Sequence, residues 1–349
     1  GFTPMIECPF CTANIQVSVR PEQRAVLMVC ASCLNPVVLR CDGASFSAEV
    51  PRGVQDIRQV AQEGSLGARL LRGLPEAIDR LPILPEISQR IMALIRDPEA
   101  SMDSLVDLVN QDQVIALKIL KLANSAMYGG LTQIKDLRGA CARLGMRTIS
   151  NTVQAIANGR LYSFKDPRFK QMMSDLWRHA LASAHCANEI AILTAEPNPD
   201  VLFVAGLTHD IGQVLLFDIV ANHAGDDLAE LRNSPELLEE VVKGYHALLG
   251  LHTVNHWALP PEFGICAYCH THIQAVPDDS WLNMVHTVSL ASAIADASGY
   301  GFGTHEDISL LSSPSAKHLG MTDIKLASIR VDLEDKLAPL FEVASPEAA

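Results

Sequence analysis

The sequence predicts an all-α multi-helix bundle preceded by a small β domain built around four cysteines. Three observations carry this. The composition is globular and poor in aromatics, 48% hydrophobic and 5% aromatic, which favours packed helices over sheets. From residue 73 onward apolar residues recur at helical spacing between Ser, Asp, Gly and Pro punctuation. Two CxxC pairs stand near the N-terminus, while the other cysteines scatter through later text.

The first element is "CPFC" (Cys8, Cys11) followed, after 18 intervening residues, by "CASC" (Cys30, Cys33). Each CxxC makes a tight knuckle that aims two thiolates at one point, and two knuckles complete the tetrahedral sulfur set that Zn²⁺ favours. Between them "ANIQVSVRPEQRAVLMVC" alternates polar and apolar residues around a Pro-Glu turn, reading as two short strands. So small a unit has little core, and metal binding would supply most of its folding energy. A redox-active dithiol is the competing reading; two matched pairs favour metal. The segment resembles a zinc ribbon over residues 5–43, with Zn²⁺ as structural cofactor and the domain running 1–43. Residues 1–4 read as an expression scar, with Met5 the native start. Cys41 is a spare, packed or exposed. Arg20, Arg24 and Arg40 face Glu7, Glu22, Asp42 and Glu49 in the first fifty residues, a net of −1 with no basic face. A structural or protein-docking ribbon is expected, not a nucleic-acid reader.

Residues 44–72 read as a linker with one short helix in "VQDIRQVAQ". The helical body follows, with 73–276 as the main domain and 277–349 as a C-terminal helical extension. Ile87, Ile91, Leu94 and Ile95 recur at helical spacing after Pro85, a good first-turn residue. Ser101 can cap "MDSLVDLVN" and Asp112 can cap "QVIALKILKLANSAMYGG", which Gly129-Gly130 ends. Short capped helices continue to "ACARLGMRTISNTVQAI". In the tail, Ile329, Leu333, Leu337 and Leu340 form one stripe of an amphipathic helix, for packing on the bundle or for a dimer or partner surface.

Bulk charge excludes some functions. The net charge is −13, from 27 basic and 40 acidic residues, against wrapping nucleic acid or lying on an anionic membrane. No uninterrupted apolar run reaches the ~18 residues of a membrane span; the stretch 201–217 is broken by His209-Asp210. The start "GFTPM" has no basic n-region or apolar core. A cytoplasmic protein is expected.

"LPILPEI", "QDQVIALKILKLANSAMYGG", "ACARLGMRTI", "LWRHALASAHCANEIA", "AGLTHDIGQVLL" and "YHALLGLHTVNHWALPPEF" closely resemble the HDOD domain, over residues 74–300 and in the family's order. The resemblance implies an all-α relative of the HD metal-dependent phosphohydrolases, mostly bacterial signalling and regulatory proteins with degenerate metal sites. An HD centre needs a His, a His-Asp pair and a late Asp. Bound metal lowers the pKa of water, supplying hydroxide near pH 7 for attack on a phosphate ester. His179 matches the first position, and His209 and Asp210 the pair. At the last position, counting back from Gly299, stands Ser292, a poor neutral ligand. Asp296 lies one helical turn on, displaced ~6 Å along the helix, more than a carboxylate normally spans. A second divalent metal is therefore not expected here; His179, His209 and Asp210 can instead serve as hydrogen-bonded core residues.

His246 and His270 match further family histidines that enzymatic cousins use for extra metals. "CAYCH" (Cys266, Cys269, His270) has the pattern of haem attachment, but no export signal accompanies it. Cys266, Cys269, His270 and His272 could form a soft metal site, and His252 and His256 stand one turn apart as a possible clip. Cys141 and Cys186 lie in apolar text and are expected to be buried. Function is expected to be that of a non-catalytic signalling scaffold acting through other signalling proteins, with a homodimer possible. The alternatives are a phosphohydrolase of nucleotides or cyclic dinucleotides, a nucleic-acid-binding regulator acting through the ribbon, and a pocket sensing a nucleotide second messenger.

Overall fold

Five strands precede sixteen α-helices in the structure, a computed structural model that describes residues 5–16, 24–42, 45–61, 65–81, 84–130, 132–164, 166–222, 228–301, 309–331 and 333–345. The strands are β1 (Met5–Glu7), β2 (Asn14–Gln16), β3 (Ala25–Val29), β4 (Pro36–Asp42) and β5 (Ser45–Glu49). The helices begin with α1 (Ile57–Val60), α2 (Leu66–Arg80), α3 (Glu86–Leu94), α4 (Met102–Val109), α5 (Gln113–Ala123) and α6 (Leu137–Gly159). They continue with α7 (Pro167–Leu193), α8 (Pro199–Thr208), α9 (Ile211–Asn222), α10 (Ala229–Asn233) and α11 (Pro235–His256). The last are α12 (Pro261–Cys269), α13 (Leu282–Ala295), α14 (Pro314–His318), α15 (Asp323–Val331) and α16 (Leu333–Ala344). The chain folds as two compact units, Gly1–Leu81 with Thr208–Ser289, and Pro82–Leu207 with Leu290–Ala349.

In the first unit β1 and β2 form an antiparallel pair, and β3, β4 and β5 a three-stranded antiparallel sheet in that order. The two expected strands therefore exist, but each pairs with a partner outside the inter-cysteine segment. The Pro21-Glu22 turn, like residues 1–4, lies outside the described residues. Ala25, Leu27 and Val29 alternate inward on β3, as a half-buried strand requires. Ile15, Val37 and Leu39 join Cys8, Cys30 and Cys33 in one small core.

The stretch expected as linker is more ordered than that. It holds β5, whose Ala48 packs on the cysteine core, then α1, then the start of α2 at Leu66. Asp56 caps α1 by accepting from Arg58 N, and both residues reach back to the ribbon. Asn35 Nδ2 donates to Asp56 (2.8 Å), Ile57 N donates to Asn35 Oδ1 (2.7 Å), and Arg58 donates to the Phe10 carbonyl (2.7 Å).

Helices α2, α9, α11 and α12 form the body of this unit. Ser65 caps α2, and Ser234 caps α11 with Pro235 in the first turn. Arg80 pairs with Asp218 at 2.8 Å, and Arg69 with Glu230, fastening α2 to α9 and α10. The helices approach closely where side chains are missing. A Cβ on Gly212 of α9 would meet the His246 carbonyl at 1.9 Å, and one on Gly264 of α12 would meet Leu251 Cδ1 at 3.0 Å. Glycine is required at such crossings by space rather than by backbone angle.

In the second unit Ser101 and Asp112 cap α4 and α5 as the sequence indicates. Helix α5 ends at Ala123 rather than at Gly129-Gly130. Asn124 stops it: its side chain donates to the carbonyls of Leu120 and Ile134 and accepts from Ile134 N, all at 2.9 Å, replacing the next helical turn with a loop clasp. Helix α6 breaks at Gly145, whose φ of 81° and ψ of 158° only glycine adopts easily. The tail stripe divides into α15, burying Ile329, and α16, burying Leu333, Leu337 and Leu340; α16 packs on α5, α6 and α7. Pro199–Asn222 has the length and hydropathy of a membrane span, but its most apolar window is 94% buried and His209-Asp210 divides the segment into α8 and α9.

Candidate metal centres

The four ribbon sulfurs converge. Cys8 Sγ lies 3.7 Å from Cys33 Sγ, and Cys11 Sγ 3.8 Å from Cys30 Sγ, with all four within 4.8 Å of one another. A tetrahedral site with metal–sulfur bonds of ~2.3 Å has edges of about 3.8 Å, so the spacing fits a metal and is far too long for a disulfide. The two knuckles have the same backbone. Thr12 N donates to Cys8 O (2.9 Å) and Leu34 N donates to Cys30 O (2.8 Å), and both Thr12 and Leu34 hold positive φ, 59° and 61°. That left-handed turn is what folds each second cysteine back toward the first. Burial raises the Cys8 and Cys33 thiols, a cost that a bound cation would remove.

A second convergence lies in the same unit. The short turn between α8 and α9 carries His209 and Asp210; α11 carries His246; the end of α12 carries His270. All four are buried. Asp210 Oδ1 lies 3.6 Å from His246 Nε2 and 3.5 Å from His270 Nε2, and Asp210 Oδ2 lies 3.4 Å from His209 Nε2. His246 Nε2 and His270 Nε2 are 3.4 Å apart. The other ring nitrogens are committed. His246 Nδ1 is 2.8 Å from the Val242 carbonyl, and His270 Nδ1 is 3.1 and 3.0 Å from the carbonyls of Cys266 and Ala267. A carbonyl only accepts, so each Nδ1 carries a proton and each ring turns Nε2 inward.

Charge follows the same logic. Burial opposes ionisation of Asp210, but the imidazoles His209, His270 and His246 outweigh it and hold the carboxyl well below its usual range. Burial lowers the pKa of His246 against the pull of Asp210. Gln213, one turn beyond Asp210, donates to Asp210 Oδ2 at 2.7 Å and fixes that carboxylate. One carboxylate oxygen and two inward ring nitrogens, each within 3.6 Å of the others, form a ligand set suited to a divalent cation. The fold family's metal chemistry therefore fits these residues.

His179 belongs to the second unit, on α7. Its Nε2 lies 3.3 Å from Ser183 Oγ, one turn on, and 3.3 Å from Ser292 Oγ on α13. Its Nδ1 lies 3.2 Å from Asp296 Oδ1. Asp296 thus reaches His179, a correction to the expectation from regular helical rise. Helix α13 passes into a π-helical turn at Asp296–Tyr300, closed by Gly299 at φ 84°. Ser292 and Asp296 are not alternatives for one place; they hold opposite nitrogens of one imidazole.

The remaining candidates do not cluster among the described residues. Cys266 and Cys269 are buried in α12 with thiols pushed up by burial, and His272 stacks on Tyr268 at 4.8 Å. His252 and His256 stand on α11 outside any three-ligand group. Cys141 and Cys186 are buried as expected. Gln213 and Ser183 were missed; the available signal was helical spacing, three residues after Asp210 and four after His179.

With this geometry in place, comparison identifies the family. The HDOD domain model matches residues 81–273, and the chain belongs to the HDOD family. A solved HDOD domain protein from Geobacter sulfurreducens is 26% identical, with a TM-score of 0.63 over 80% of this chain and 99% of that one. A Marinobacter aquaeolei VT8 structure described as a signal transduction protein is 21% identical, with a TM-score of 0.60 over 84% of this chain and 69% of that one. A Shewanella amazonensis SB2B structure described as a metal-dependent phosphohydrolase is 23% identical, with a TM-score of 0.52 over 76% of this chain and 99% of that one. An uncharacterized protein of Treponema pallidum (strain Nichols) is 24% identical over 250 residues, 70% of this chain; the match spans about half of that relative, 46% of its length.

Proposed function

We propose that this protein is a metal-binding regulatory module that transmits metal occupancy through protein–protein contact and does not turn over a phosphate ester. One observation carries the metal: His246 Nε2, His270 Nε2 and Asp210 Oδ1 converge on one buried point, while each Nδ1 already serves a backbone carbonyl. Counting ligands from the His-Asp motif alone undervalued this, because His246 and His270 supply donors that do not depend on Ser292. The absence of hydrolysis rests on Ser292, which puts a neutral hydroxyl on His179 Nε2 where the resemblance implies a carboxylate. The neighbour described as a signal transduction protein is in keeping with a signalling role. Other signalling proteins in the cytoplasm are the partners proposed; the acidic balance speaks against nucleic acid.

The second reading is a phosphohydrolase of nucleotides or cyclic dinucleotides. The Asp210 carboxyl, held well below its usual range beside three imidazoles, favours it, as does the neighbour described as a metal-dependent phosphohydrolase. A divalent metal held there would supply Lewis acidity and lower the pKa of bound water. The deciding assay incubates protein loaded with Mn²⁺, Fe²⁺ or Zn²⁺ with bis-p-nitrophenyl phosphate and with cyclic dinucleotides. Metal retention without release of product supports the regulatory reading. Turnover that disappears in Asp210→Asn establishes the hydrolase.

A further inference from the structure

The ribbon and the histidine centre share one unit of the fold, and one side chain joins them. Strand β3 is the edge of the three-stranded sheet and lies on both α11 and α12. At its end Val29 N donates to Asn255 Oδ1 of α11 at 3.0 Å. Val29 directly precedes the knuckle cysteine Cys30, whose own N–H donates to Asn35 O at 2.9 Å. Asn255 also faces α12: a Cβ on Gly264 would stand 3.6 Å from its Nδ2. A single amide thus meets the ribbon and stands beside α12 near the segment that joins α11 to α12. Such a bond also covers a strand edge that would otherwise be open.

These two helices carry the facing histidines. His246 lies nine residues before Asn255 on α11, about 13 Å along the axis at 1.5 Å per residue. His270 lies six residues after Gly264, about 9 Å along α12 by the same rise. A change of about 5° between the two helices, pivoting at Asn255, would move the far end by roughly 1 Å over that length. Metal ligands tolerate about half that error before affinity suffers. The His246–His270 separation of 3.4 Å is therefore sensitive to the angle between α11 and α12.

We propose that the four-cysteine ribbon is a regulatory input to the buried centre: loss of ribbon metal loosens the Val29–Asn255 contact and lowers the affinity of Asp210, His246 and His270 for their own metal. Asn255 is a positioning residue in this scheme and touches neither metal. The proposal rests on the metal-binding reading above.

The test is a Co²⁺ titration of the full chain, its ribbon preloaded with Zn²⁺, followed by visible absorption of the oxygen- and nitrogen-ligated site. Four proteins are compared: wild type, Cys11→Ser, Asn255→Ala and Asn255→Asp, the last keeping an acceptor for Val29 N. Far-ultraviolet circular dichroism records helix content. The expected result is at least tenfold weaker Co²⁺ binding in Cys11→Ser and Asn255→Ala, near wild-type binding in Asn255→Asp, and unchanged helicity throughout. Wild-type affinity in both Cys11→Ser and Asn255→Ala overturns the coupling and leaves the metal-binding reading intact. A wild type that takes up no Co²⁺ beyond the ribbon overturns that reading and the coupling with it.

Discussion

His246 Nε2 faces His270 Nε2 across 3.4 Å, and both rings already direct Nδ1 at backbone carbonyls. Two inward ring nitrogens and the Asp210 carboxylate then share one buried space, a ligand set that a divalent cation fits. Metal should therefore raise the thermal midpoint of the wild type with increasing concentration, as binding to the native state alone requires. With the ribbon kept loaded with Zn²⁺ in both proteins, His246→Ala should abolish that rise while leaving the midpoint without added Mn²⁺ within a few degrees. Calorimetric scans across a Mn²⁺ series check this. An equal rise in the variant would place the responsible site elsewhere.

Gly212 is the residue that lets α9 bring His209 and Asp210 against α11. In Gly212→Ala the new methyl would sit 1.9 Å from the His246 carbonyl and 2.3 Å from Gly250 N, both backbone atoms that cannot rotate away. The helices must separate, at a cost of roughly 3 kcal/mol. Chemical denaturation should show that loss, together with weakened metal retention at the histidine centre. Wild-type stability would show that the crossing is looser than the structure describes.

Gly145 and Gly244 make a paired test of backbone against space. A Cβ meets nothing within 4 Å at either position, but Gly145 has φ 81° whereas Gly244 lies inside α11 with no such φ. Gly145→Ala should destabilise by about 1–3 kcal/mol through strain alone. Gly244→Ala should stabilise by about 0.5–1 kcal/mol through helix propensity. Urea titrations of the two variants should therefore move in opposite directions.

His252 sets a pH dependence. Burial, followed by the nearby His256, pushes its pKa down to about 4. In the unfolded chain the value is about 6.5. Between these limits the unfolded state holds the extra proton, so this contribution to stability is full above about pH 6.5 and falls as the pH drops toward 4. His252→Leu should flatten the fall relative to wild type, measured as the difference in unfolding free energy at pH 7.5 and 5. Parallel curves for the two proteins would contradict the assignment.

The features legible in the sequence are those decided within a few residues. CxxC spacing fixes a knuckle, and Ser101 and Asp112 announce helix starts because a cap acts on the next turn. What was not legible depends on contacts the pattern does not contain. The end of α5 is set by Asn124 bonding to Ile134, ten residues away. The reach of Asp296 to His179 depends on how its turn packs against α7, which spacing along one helix cannot foresee. His246 and His270 were visible as candidates, yet their union with Asp210 depends on glycine-lined crossings of α9, α11 and α12.

The most direct test of the central claim is metal content per chain, measured by plasma mass spectrometry on untagged protein, in wild type and in His246→Ala and His270→Ala. The account predicts one ribbon metal and a second divalent metal in wild type, with only the second lost in either variant. A single metal per wild-type chain, retained in full by both variants, would contradict it.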